Sequence, residues 1–191
     1  MEDRKLNEKE SLELISQMIQ NTKNRVARHS GTPFLIWGYM TVLISVVVWY
    51  LITETNNYVW NQLWFILPAV CVPATYRVNR RREAIVKTYV DRVVIYIWSV
   101  FGGVAFLLSV AAFVMPVPIL FVILLLMGMG TMLTGLAIHS KMLVVCGSLG
   151  VLVSLGCLPM EGIDRLLVFA AAFVFMMIIP GHVLNAISKT K

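Results

Sequence analysis

The chain has 191 residues, 59% of them hydrophobic and 14% charged, with a mean hydropathy of +0.80. Soluble domains carry about 25% charged residues, and five stretches here (29–53, 55–76, 93–140, 142–160 and 166–188) hold no Asp, Glu, Lys or Arg at all, so a soluble globular domain is excluded. The net charge of +6 and pI of 9.4 would point a soluble protein toward nucleic acid. Here the basic residues cluster beside apolar runs, where membrane topology accounts for them, and no nucleic-acid partner is expected.

The first element is a charged N-terminal helix. Asn7 is positioned as an N-cap with Glu10 three residues on, a variant of the capping box. Leu12, Ile15, Ile19, Thr22 and Val26 then recur at 3,4 spacing, which predicts an amphipathic helix over 7–29, about 34 Å long. Acidic residues lead and Lys23, Arg25 and Arg28 trail, an order that suits the helix macrodipole. Gly31 and Pro33 are expected to stop the helix near His29-Ser30. Its apolar stripe (Leu12, Ile15, Ile19, Val26) either rests on the inner leaflet and the cytoplasmic loops or docks a partner.

Glu10-Ser11-Leu12 through Gln20, followed by Gly31-Thr32-Pro33-Phe34-Leu35-Ile36-Trp37-Gly38-Tyr39, resembles the start of a family of small uncharacterised bacterial multi-pass membrane proteins. The resemblance covers about the first 50 residues and its motif is not a known active site. It implies a location in the bacterial inner membrane and a cytoplasmic helix joined to the first span by a short Gly-Pro break. It implies no activity.

Six transmembrane helices follow, predicted at 34–53, 58–76, 93–115, 118–138, 142–160 and 165–185, each near the ~20 residues a span needs. The second carries Asn61, Gln62, Pro68 and Pro73 and is weak by hydropathy alone. The third and fourth divide one charge-free run of 48 residues at Met115-Pro116-Val117-Pro118. Six basic residues precede span one, six more lie in 77–92, and Lys141, Lys189 and Lys191 fall on the same side, against Arg165 alone on the other. Basic residues mark the cytoplasmic side, so both termini are predicted inside. Deleting the second span from this scheme would destroy the asymmetry, which is why it is retained. Trp37, Trp49, Trp60, Trp64 and Trp98 fall near predicted span ends, where headgroups favour indole. Ile36-Trp37 and Ile97-Trp98 are too short a match to indicate a repeat.

The architecture is therefore all-α: residues 1–33 a cytoplasmic amphipathic helix and linker, 34–191 a six-helix membrane domain. Small residues concentrate in spans three to five, including Gly103, Gly128, Gly135 and Gly150, and predict close helix packing there. The cluster Arg77, Arg80, Arg81 and Arg82 suits anionic lipid headgroups. Pro68, Pro73 and Pro180-Gly181 mark either kinks or breaks.

Chemistry is sparse. No charge lies within a predicted span core, which argues against a proton path built on intramembrane carboxylates. There is no HExxH motif and no GxSxG elbow. His29, His139 and His182 lie near the cytoplasmic face with no evident Cys or carboxylate partner, Glu54, Glu161 and Asp164 read as solvated loop carboxylates, and Cys71, Cys146 and Cys157 read as buried thiols. No cofactor, metal or catalytic residue is expected. The leading expectation is a non-enzymatic membrane protein that docks a cytoplasmic partner or self-associates through its inner-face helices. The alternative is an oligomeric small-solute transporter or channel lined by the Ser, Thr and Gly faces of spans three to five.

Overall fold

The computed structural model describes residues 8–80 and 89–187. Every element among them is helical. In chain order they are α1 (Glu8–Thr55), a 3-10 segment (Tyr58–Phe65) leading into α2 (Ile66–Arg80), α3 (Tyr89–Ala111), α4 (Ile119–Ala137), α5 (Lys141–Cys157), α6 (Arg165–Phe173), a π turn (Val174–Ile178) and α7 (Ile179–Ile187). Four helices are long and apolar enough to cross a membrane: Gly31–Thr55, Tyr89–Ala111, Ile119–Ala137 and Arg165–Ala186. Lys141–Cys157 is shorter but also apolar. This is the signature of a membrane protein.

The helices alternate in direction. Gly31, near the middle of α1, packs on Gly181 and Asn185 of α7, whereas Trp49 near the α1 C-terminus bonds Asp164 at the start of α6. One end of the bundle thus carries Gly31, Arg77, Arg80, Arg92 and Lys141, and is called the basic end below. The opposite end carries Glu54, Glu161 and Asp164.

α1 corrects one expectation. It runs unbroken for 48 residues through Gly31 and Pro33, about 72 Å at 1.5 Å per residue, where a stop near His29-Ser30 is expected from sequence. The reason lies in packing. Gly31 does not cap the helix. It lets α7 approach: a Cβ there would collide with the Asn185 side chain and stand 3.0 Å from the Gly181 carbonyl oxygen. Gly38, about two turns on, sits against Met177 and Ile178 in the same way. Tertiary contact along one face outweighs the local helix-breaking tendency of Gly and Pro.

The second predicted span is divided. Tyr58–Phe65 is a 3-10 helix, started by Asn57, whose Oδ1 accepts from the Val59 N–H at 3.0 Å. The α-helical part begins only at Ile66. Pro68 falls in the first turn of α2, where its missing N–H costs little, and α2 continues through Pro73. The proline at 180 is handled differently. It cannot donate a backbone bond, and just ahead of it the ladder widens: the Ile179 N–H bonds the Val174 carbonyl, five residues back. Pro180-Gly181 thus follows a π turn inside a continuing helix rather than a break.

The core lies between α1, α4, α5 and the α6–π–α7 run. Phe169 is nearly fully buried, edge-on to Trp64 at 5.6 Å and tilted against Phe173 at 4.8 Å. α3 corrects a second expectation, that spans three to five form the packed centre: only 6% of its apolar window is buried, against 39% for α4 and 50% for Arg165–Ala186. Its contacts run mainly along α4.

Candidate functional site

Two places carry the sequence-predicted site residues: the basic end, and the glycine faces of the helices. On α1, Leu12 is 67% exposed and Leu14 40% exposed. The side chains of Ile15, Ile19 and Val26 lie outside the described residues. Arg77 and Arg80 occupy the last turns of α2 and are exposed, as is Arg92 in the first turn of α3, while Arg81 and Arg82 lie outside the described residues.

The glycines separate into filled and open positions. A Cβ at Gly128 would stand 2.9 Å from the Val151 amide nitrogen and 3.1 Å from the Gly147 carbonyl oxygen. At Gly135 it would meet the Val144 nitrogen at 2.6 Å. Gly147, opposite them, would meet the Met132 nitrogen at 2.5 Å and the Gly128 oxygen at 2.8 Å. α4 and α5 therefore touch backbone to backbone, the arrangement that lipid-embedded helices reach through small residues because lipid supplies no hydrophobic drive between them. Gly150 is covered differently, by the Met176 sulfur of the π turn at 2.5 Å. Gly103 and its neighbour Gly102 have nothing within 4 Å.

Hydroxyls in the bundle mostly bond their own helix. Thr131 donates to the Met127 carbonyl at 2.8 Å, Thr134 to Gly130 at 2.8 Å, Ser45 to Thr41 at 2.7 Å and Ser154 to Val151 at 2.6 Å. This back-bonding satisfies each hydroxyl without a neighbour. Among the described residues no buried side-chain N or O lacks a partner. Gly128, Thr131 and Gly135 of α4 are thus occupied inside the chain rather than facing a channel. A cavity of about 80 Å³ lies away from them, lined by residues that include Val117, Leu120, Cys157 and Arg165.

Tryptophans act as helix-to-helix pins. Trp37 Nε1 donates to Thr75 of α2 at 3.1 Å, Trp98 Nε1 to Thr134 of α4 at 3.1 Å, and Trp49 Nε1 to the Asp164 carboxylate at 3.1 Å. Sequence reasoning assigns these indoles to headgroups. Hydrogen-bond partners on other helices had no local signal, since Thr75, Thr134 and Asp164 are 38, 36 and 115 residues away. Sequence also missed the pairing of Tyr39 with His182, hydroxyl to Nε2 at 2.6 Å. His139 is exposed in the α4–α5 turn with φ +58°. Cys71 and Cys157 are buried, Cys146 partly so, and all three are free thiols. Among the described residues no group of three His, Cys, Asp or Glu side chains is placed to hold a metal. No family model matches the chain, and no curated protein or solved structure matches it.

Proposed function

We propose that the chain is a non-enzymatic six-span protein of the bacterial inner membrane, with both termini in the cytoplasm, that docks a cytoplasmic partner or a second copy through its N-terminal helix. The observation that carries this reading is the length of α1. At about 72 Å it is far longer than the ~30 Å hydrocarbon core, and its close packing on α7 begins only at Gly31. Residues 8–30 therefore form an extension on the side bearing most of the Lys and Arg, with Leu12 and Leu14 exposed.

The six crossings are supported by alternation of the helices and by the geometry of the second. At about 2.0 Å rise per residue for Tyr58–Phe65 and 1.5 Å for Ile66–Arg80, the pair extends about 38 Å, enough for a bilayer. Cytoplasmic placement of the basic end follows from the Lys/Arg asymmetry. The likeness of the first 50 residues to small bacterial multi-pass proteins agrees with this location.

Native mass spectrometry of the gently extracted protein tests the docking reading. Removing residues 1–29 is expected to leave membrane insertion intact and to abolish association with the partner or second copy. Association unchanged by the deletion would overturn it. A channel formed between copies is the second reading, favoured by the uncovered Gly102 and Gly103 of α3. Its measure is solute flux in proteoliposomes, lost on Gly103→Leu.

A further inference from the structure

α2 and α3 follow one another in the chain yet make no extended contact along their lengths. At the far end they are bridged by aromatic rings. Phe65, immediately before α2, stacks on Phe113 in the turn after α3 at 5.6 Å and lies edge-on to Phe106 at 6.4 Å. Toward the basic end α1 stands behind both helices: Trp37 bonds Thr75 of α2, and Phe34 sits edge-on to Trp98 of α3 at 5.4 Å. The space between α2 and α3 is thus a wedge, closed by Phe65, backed by Phe34 and Trp37, and widening toward the basic end.

Its walls and its mouth differ in chemistry. α2 exposes Val70 and Val72, and α3 exposes Ile95 and Val100. At the mouth stand Arg77, Arg80 and Arg92, all exposed, with Asp91 the one acidic side chain among the described residues of these turns. We propose that this wedge binds one acidic glycerophospholipid, an acyl chain lying between α2 and α3 and the headgroup phosphate held by Arg77, Arg80 and Arg92. A two-part ligand fits a two-part site: apolar walls suit a chain, and a net positive mouth suits a phosphate. A second copy of this chain would bring the same positive charge to the mouth and be repelled.

The proposal rests on the six-span reading, which puts the three arginines at one leaflet. Labelling of an Arg80→Cys variant in a background without the native cysteines checks that separately, because external labelling would reject the topology whatever the lipid result.

The test is a titration of the delipidated full chain with phosphatidylglycerol and with phosphatidylcholine, read by native mass spectrometry, together with crosslinking from a photoreactive acyl chain. Phosphatidylglycerol is expected to be retained one per chain at a concentration at least tenfold lower than phosphatidylcholine. The Arg77→Gln, Arg80→Gln, Arg92→Gln triple variant should lose that preference, and crosslinks should concentrate on α2 and α3. Equal retention of the two lipids, a preference untouched in the triple variant, or crosslinks equally dense at the exposed Leu149, Leu152 and Leu155 of α5 would overturn it.

Discussion

The α4–α5 hairpin and α3 contain the same kind of residue and use it in opposite ways. In the hairpin, Gly128, Gly135 and Gly147 bring two backbones into contact, so that a single added methyl has nowhere to go. In α3, Gly102 and Gly103 meet nothing within 4 Å. A small residue in a membrane helix permits close approach without saying what approaches. What distinguishes the two cases is connectivity. α4 and α5 are joined by the short Ile138–Ser140 turn, which holds them antiparallel and in register, with Gly135 beside Val144 and Gly128 beside Val151. The glycines of α3 are offered no such neighbour within the chain.

Substitutions can break that comparison or sharpen it. The largest effect is expected for Gly147→Ala, whose new methyl would press on the Met132 nitrogen and the Gly128 oxygen. Because backbone cannot move aside, about 3 kcal/mol or more of stability should be lost, read by reversible unfolding in mixed micelles. Gly103→Ala in the same assay should lie within about 0.5 kcal/mol of the parent, or gain slightly from helix propensity. Equal losses at the two sites would mean that α3 is packed against another copy.

Gly31→Leu carries the comparison to the α1–α7 crossing. The new side chain would displace Asn185 and crowd the Gly181 carbonyl, at a cost of about 2 kcal/mol. If stability were unchanged, the unbroken course of α1 would need another cause. Gly150→Ala should cost about 1 kcal/mol, because the atom in its way is the thioether of Met176, a side chain that can swing aside. A loss as large as that at Gly147 would mean the π turn holds Met176 rigidly. The smallest effect belongs to Trp98→Phe. It keeps the ring on Phe34 but deletes the bond to Thr134, and should cost about 0.6–1 kcal/mol, the usual value for an interhelical hydrogen bond in lipid.

What sequence could reveal follows the range of each signal. Charge-free runs are local and long, so the helices at 31–55, 89–111, 119–137 and 165–186 were legible from composition. The turn at Pro116–Pro118 was legible for the same reason. Gly31 and Pro33 were misread because their local tendency is to stop a helix, and the force that overrides it comes from Gly181, 150 residues away. The 3-10 start of the second crossing was hidden as well, since Tyr58–Phe65 has no composition that separates it from an α-helix. The glycines were recognised as contact points, but which of them had a partner could be learned only from the assembled helices. Of the candidate site, exposed Arg77 and Arg80 were found from charge alone. Arg92 belonged to the same charge cluster, but its place at the mouth of a wedge depends on α2 and α3 failing to pack.

The meeting of Gly31 with Gly181 also sets an order of events during synthesis. Ribosomes add about 5–20 residues each second, so roughly 8–30 s separate the appearance of the two glycines. Throughout that interval the α1 face formed by Phe34, Gly38 and Thr41 has no α7 to cover it and is solvated by lipid or shielded by the insertion machinery. The α4–α5 hairpin, with its partners a dozen or so residues apart, can close almost as soon as it is made. The bundle is thus completed last at its oldest helix, and a chain stalled before Arg165 would leave that first helix searching the bilayer for a companion.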